Sequence, residues 1–192
     1  MALKIYTEPS SEPVTLADAK SHCKIFITDD DDLINSYITA ARKWVEHTGI
    51  RRALITQTLE LYLDAFPDWE INPPRPPLKT IVSIKYYDTN GVLQTLSSAL
   101  YTLDIINEPG RITPAYGQCW PSTRDIMNAV IIQYTAGYGE AAAVPKDIWH
   151  AILFLVAHAY ENRQPVGDIG KQIPFSVNAL LAPYKIFGGT TE

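Results

Sequence analysis

Leu33, Ile34, Tyr37, Ile38, Ala41, Trp44 and Val45 recur every three or four residues and fall on one stripe of a helix. Four aspartates, Asp29 to Asp32, precede the stripe, and their carboxylates suit the positive end of a helix dipole. Gly49 predicts a left-handed cap just after Thr48. An earlier helix starts at Thr15, with Pro13 ahead of it and Asp18 placed to complete a short-armed capping box. From Leu54 the period changes. Ile55, Thr56, Thr58, Leu59, Leu61, Tyr62 and Leu63 are β-branched, aromatic or leucine, as a strand prefers. The prolines of segment 72–77 offer few amide donors and predict a stiff extended connector. A β-rich run from Leu78 to Tyr87, a turn at Asp88-Thr89-Asn90-Gly91 and a partner run from Val92 to Leu96 predict a hairpin.

Short strands are also predicted over 101–106, around Arg111-Ile112 and over 128–136, where Ala129, Val130, Ile131, Ile132 and Tyr134 make a mostly apolar run. After Gly137-Tyr138-Gly139, Val144-Pro145 opens a third helix with proline at its first position. Ile148, Trp149, Ile152, Leu153, Leu155, Val156 and Ala159 give that helix a wide apolar surface, implying burial on several sides. The pattern breaks near Asn162 to Pro165. A short last helix begins after Pro174, with Val177, Leu180 and Leu181 as its apolar face. The predicted class is α+β: an α-helical scaffold formed by the N- and C-terminal helices, carrying an inserted antiparallel β-domain. The boundaries are 1–52 for the first part of the helical domain, 53–140 for the insert and 141–192 for the rest of the helical domain and a tail. The helices before residue 50 and after 144 must share one core.

Composition narrows the function. With 192 residues, 46% hydrophobic and 19% charged, the chain can bury one sizeable core or two small ones. No apolar run is long enough for a membrane span, and no signal peptide is visible, so synthesis in a cytoplasm and no membrane partner are expected. Cys23 and Cys119 lack metal-site spacing and are expected as reduced, mostly packing thiols. A net charge of −5 opposes a free-standing nucleic-acid binder, because neutralising phosphates needs clustered Lys and Arg.

No motif assembles a catalytic or cofactor site, so neither an enzyme nor a cofactor nor a metal is expected. The aspartate run lacks the alternating spacing and distal Glu of a calcium loop. His47, His150 and His158 lie on predicted helices without HExxH spacing, and His22 beside Cys23 has nothing to activate a thiolate. The glycines near 137 complete neither a phosphate loop nor a dinucleotide fingerprint. Tyr86, Tyr87, Tyr101, Tyr116 and Trp120, in or beside the β-domain, exceed what a small sandwich needs inside. They are candidate subunit or partner contacts, since such rings suit interfaces where one edge stays wet.

The segments PVTLADAKSHCKI (13–25), DDLINSYITAARKWVEHTG (31–49), RRALITQTLELYLDAFP (51–67), PPRPPLKTIVSIKYYDTNGVLQTL (73–96), RITPAYGQCWP (111–121), NAVIIQYTAGYG (128–139), VPKDIWHAILFLVAHAYENRQPV (144–166) and ALLAPYKI (179–186) occur in an order that resembles one family. It is the head-tail connector, or neck adaptor, proteins of long-tailed phages, in the subgroup with an inserted β-domain. The resemblance implies a structural virion protein of a phage or prophage neck. Copies would form a ring, of dodecamer type to match the portal, docked beneath the portal protein. The ring would join the DNA-filled head to the tail and offer a platform to a downstream stopper or tail-completion protein. DNA would pass through without specific binding, and an acidic lumen would repel phosphate. The same resemblance makes the carboxy-terminal segment 174–192 the portal contact, with Tyr184, Lys185, Ile186 and Phe187 as candidates. The rival readings are a tail-completion or stopper protein of the same neck, and a small enzyme or binding module. The helix-β-helix order favours the connector over an all-β stopper.

Overall fold

The computed structural model describes residues 1–162 and 175–186. Its elements are β1 (Ala2–Thr7), α1 (Leu16–Cys23), α2 (Asp31–Trp44), β2 (Gln57–Leu63), β3 (Leu78–Tyr87), β4 (Leu93–Thr95), β5 (Tyr101–Asp104), β6 (Arg111–Pro114), β7 (Val130–Ala136), α3 (Lys146–Glu161) and α4 (Phe175–Leu181). They form two compact units. One joins Ser11–Ile55 to Tyr138–Phe187, and the other joins Met1–Ser10 to Thr56–Gly137.

The helical unit is held by a core that both ends of the chain build. Ile34, Ile38 and Val45 from the second helix region pack with Ile148, Ile152 and Val156 of α3, and Val177 and Leu181 of α4 join them. At roughly 1.5–3 kcal/mol for each fully buried aliphatic side chain, this shared core supplies the unit's main driving force. The α1 capping box is formed: Asp18 N–H donates to Thr15 Oγ1 at 3.1 Å, and Thr15 N–H to Asp18 Oδ2 at 3.3 Å. Past Trp44 the helix widens into a π-turn, Val45–Gly49, closed by Ile50 N–H donating to Val45 C=O at 2.9 Å. Gly49 does not supply the expected left-handed cap; the left-handed residue is Arg51, at φ 59°. A Cβ at Gly49 would lie 3.2 Å from Leu181 Cδ1 and 3.3 Å from Trp44 Cζ3, so this glycine allows close packing. Pro145 sits one residue earlier than expected, as the N-cap of α3 and not inside its first turn. The unit also brings the ends of the excursion together: Tyr138 N–H donates to Leu54 C=O at 3.0 Å, and Ile55 and Gly139 form an isolated parallel bridge.

The β unit is a five-stranded antiparallel sheet in the order β1-β2-β7-β3-β4, with β5 and β6 as a separate two-stranded pair. Strict alternation in β7 buries Val130, Ile132, Tyr134 and Ala136 on one face. The register aligns Leu61 with Ile132 and Leu59 with Tyr134 on that face, and Ile84 meets Ile132 from the other side. The proline segment contributes a cover: Tyr134 donates its hydroxyl to Pro74 C=O at 2.7 Å, and burial pushes that phenol far up. Ile71 bridges Ile112 of β6 through a pair of 2.9 Å hydrogen bonds. The expected hairpin at Asp88–Gly91 is present. Asp88 Oδ1 accepts from Asn90 N–H and Val92 N–H, and Gly91 takes the positive φ of 81°. Strand β1 was not foreseen. Its only inward-leaning positions, Leu3 and Ile5, sit opposite Leu61 and Leu59, so its pairing is long-range and leaves little local pattern.

Candidate functional site

The candidate portal contacts follow α4 directly. A turn of 3-10 helix, Ala182–Tyr184, carries the chain past the end of the helical core. Arg52, itself buried, donates Nε–H to Tyr184 C=O at 2.6 Å. Tyr184 donates its hydroxyl to Asp147 Oδ2 at 3.0 Å, and Ile186 N–H donates to Ile50 C=O at 3.3 Å. Burial, then the bond and charge of Asp147, push the Tyr184 phenol up, while Arg52 opposes them. Tyr184 and Ile186 are therefore tied to the helical unit, and Lys185 between them is exposed. Phe187 lies outside the described residues.

The helical unit also holds a polar network that the sequence reading missed. Arg42, 4% exposed, donates Nε–H to Glu12 Oε2 at 2.7 Å and an Nη1–H to Glu46 Oε2 at 2.8 Å. Glu46, 1% exposed, accepts from Leu54 N–H at 2.8 Å, and Thr39 donates its hydroxyl to Glu12 Oε1 at 2.9 Å. Burial alone would lower the Arg42 pKa, yet Glu12 and Glu46 together hold it above its ordinary value. The network ties the chain before α1, the end of α2, and the segment leading to β2. Its sequence signal was the run Ile38, Arg42, Glu46 at helical spacing, which sets two charges beside the apolar stripe.

In the β unit, Tyr86 meets Phe66 edge-on at 5.7 Å, and Phe66 stacks on Trp120 at 5.0 Å with planes 4° apart. Trp120 donates Nε1–H to Trp69 C=O at 2.8 Å, and the Trp69 side chain is exposed. Two of the five aromatic candidates, Tyr86 and Trp120, thus meet through Phe66, a residue the sequence reading did not single out. Tyr87 and Tyr101 are half-buried, and burial pushes the Tyr101 phenol up. Tyr116 is fully solvent-exposed, in the turn after β6. The β5–β6 turn displays Ile105 and Ile106 outward on a carboxylate-centred frame. Asp104 Oδ1 accepts from Ile106 N–H at 2.9 Å, and Oδ2 from Asn107 Nδ2–H at 2.6 Å and an Arg111 Nη2–H at 2.8 Å.

Among the described residues, no group of three or more His, Cys, Asp or Glu side chains could hold a metal ion. In the aspartate run, Asp30 accepts from the Tyr160 hydroxyl at 2.7 Å and Asp31 pairs with Lys20 at 2.6 Å, so two of the four carboxylates tie helices together. His22 lies against Phe154, ring centroids 5.6 Å apart. Cys23 is half-buried, its thiol pushed up by burial and then by Glu161. Cys119 is exposed, contrary to the expectation of a packing thiol, because its loop runs over the surface.

Residues 13–92 match the family model of phage gp6-like head-tail connector proteins. The chain is also similar, along its whole length, to chains of solved gene transfer agent (GTA) particles. The match to the neck of an empty particle computed with C6 symmetry has a TM-score of 0.81 at 25% identity and covers 100% of both chains. The match to the virion of a native particle has a TM-score of 0.81 at 25% identity and covers 98% of this chain and 99% of the other. The match to the neck of a native particle computed with C12 symmetry has a TM-score of 0.77 at 26% identity and covers 100% of both chains. No curated protein matches the sequence significantly. The chain is thus similar to phage gp6-like head-tail connector proteins over residues 13–92 and to neck chains of gene transfer agent particles along its whole length.

Proposed function

We propose that this protein is a structural component of a phage or prophage neck, whose copies close into a ring beneath the portal and join the head to the tail. The observation that carries the proposal is whole-chain likeness to a neck chain computed with C12 symmetry. A twelvefold ring matching the portal, and a place in the virion neck after synthesis in the host cytoplasm, follow from it as parts of the same reading. No chemistry is assigned, and the protein acts by assembly and not as an enzyme. The carboxy-terminal segment, with Tyr184, Lys185, Ile186 and Phe187, is the proposed portal side. The aromatic group around Trp120, with Tyr87, Tyr101 and Tyr116, is the proposed contact with neighbouring copies or the downstream stopper or tail-completion protein. The net charge of −5 suits a conduit through which DNA slides without being held.

Co-expression with the cognate portal protein tests this reading. A stable complex, isolated through a tag on the portal and containing both proteins, is expected. A chain that never co-purifies with its portal, while remaining folded, contradicts it.

A further inference from the structure

Resting on the ring reading above, we propose that β1 is an exchanged arm: in the assembled ring each copy lays its Ala2–Thr7 strand on the β2 edge of the next copy and receives the strand of the copy before. The strand is set apart in the chain. It belongs to the β unit, yet the chain leaves that unit after Ser10 and returns only at Thr56. Where the chain enters the helical unit it is anchored, since Glu12 accepts from Arg42 Nε–H and from the Thr39 hydroxyl and the capping box fixes Thr15. At the other end β1 lies at the sheet edge with β2 as its one ladder partner, and among the described residues no backbone bond outside that ladder holds residues 1–10. The ladder already slips between Ile5 and Thr7, and the mostly exposed linker that follows holds Pro9, with Pro13 just beyond it. Prolines at this spacing keep the linker stiff and extended and resist folding it back.

The slot on β2 identifies its occupant. Leu3 and Ile5 lie opposite Leu61 and Leu59, and both of those leucines are fully buried, so an empty slot would open the sheet's core to water. The strand with the matching side chains and register is β1, from the same copy or from another. Transfer releases one ladder and remakes the same ladder between chains, so it gives up no contact in the end. Cyclic symmetry, of the kind used for the similar neck chains, relates copies head to tail. Each copy then offers one arm and one slot, and a closed ring leaves neither unfilled. Exchange makes every β unit incomplete without its neighbour, which ties ring closure to the sheet itself.

The test places a cysteine pair across the ladder, Lys4→Cys with Glu60→Cys, in the full chain carrying Cys23→Ser and Cys119→Ser. Directly opposed residues of an antiparallel ladder stand within disulfide reach. Rings are assembled on the cognate portal under reducing conditions and then oxidised. Exchange predicts that most copies run as covalent multimers on denaturing gels without reductant. Copies oxidised before mixing, each with its arm locked on its own β2, should fail to close a ring and should recover on reduction. Rings that oxidise to monomers only, or locked copies that close rings as well as reduced ones, overturn the inference and leave the neck reading intact. The pair Ala2→Cys with Tyr62→Cys, at another rung of the same ladder, supplies both measurements where the first pair does not fold. Absence of any ring of the wild-type protein on the portal overturns the neck reading, and the exchange with it.

Discussion

The two units spend their polar groups differently. The helical unit buries charge: Arg42 and Glu46 lie inside it, joined to each other, to Glu12 and to the backbone of Leu54. The β unit keeps its strongest charge cluster outside, at the Asp104 turn, and exposes apolar side chains such as Trp69, Ile106 and Tyr116. A buried, bonded network fixes one geometry at high cost if broken, while exposed rings and aliphatic tips contribute little to folding and are available to partners. The difference therefore lies in the linked buried charge of the helical unit, since that unit also exposes large apolar side chains, Phe26 and Phe175, and the β unit also buries a charged residue, Arg75. The helical unit accepts the insert because the junctions are neighbours, with Leu54 bonded to Tyr138.

The sharpest way to break this contrast is Glu46→Ala, which takes from buried Arg42 its buried carboxylate partner, leaving only the half-exposed Glu12 of the two carboxylates described, and orphans the Leu54 amide. Loss of about 3–5 kcal/mol in denaturant unfolding is expected, and a loss below about 1 kcal/mol would show that the buried network is dispensable. Next comes Gly110→Ala in the β unit, where a Cβ would lie 2.8 Å from two Leu78 side-chain carbons and 3.0 Å from Asp104 C=O. Overpacking of this kind costs about 1–3 kcal/mol, so an unchanged midpoint would show slack between the β5–β6 hairpin and β3. A smaller effect is expected on acidification. Arg111, then Asn107 and the Ile106 amide, hold the Asp104 carboxyl well below the ordinary carboxylate range. Its contribution is therefore present above the unfolded value of about 4 and is lost as pH falls through the lower folded one. Protection of the Ile106 and Asn107 amides, taken relative to intrinsic exchange at each pH, should fall in acid, and Asp104→Asn should remove that dependence. The smallest effect is Tyr116→Ser, which should leave stability within about 0.5 kcal/mol while weakening assembly with neck partners. Unaltered assembly would remove Tyr116 from the contact surface.

Much of this was legible in the sequence wherever the signal was local. The α1 capping box, the helical stripe of α2, the Asn90-Gly91 turn and the mostly apolar run that forms β7 each act within a few residues, and each is present. Pairings distant in sequence were not legible. Strand β1 depends on β2 for every hydrogen bond of its ladder, and the Phe66–Trp120 stack joins loops that share no local pattern. The role of Gly49 was misread because a glycine after a helix commonly marks a left-handed cap, whereas here Leu181 of α4 and the Trp44 ring approach it closely and leave little room for a Cβ. Tyr184 and Ile186 were marked as contacts from a resemblance. Their bonds to Arg52, Asp147 and Ile50 join positions distant in sequence, and the left-handed backbone of Arg51 carries no local pattern.

Electron microscopy of the protein assembled with its cognate portal tests the central claim most directly. The account predicts a closed ring of copies coaxial with the portal, seated on its tail-facing side, with the carboxy-terminal segment from Tyr184 to Phe187 turned toward the portal. Single copies scattered on the portal, a ring that forms only away from it, or no association of a folded protein would contradict the account.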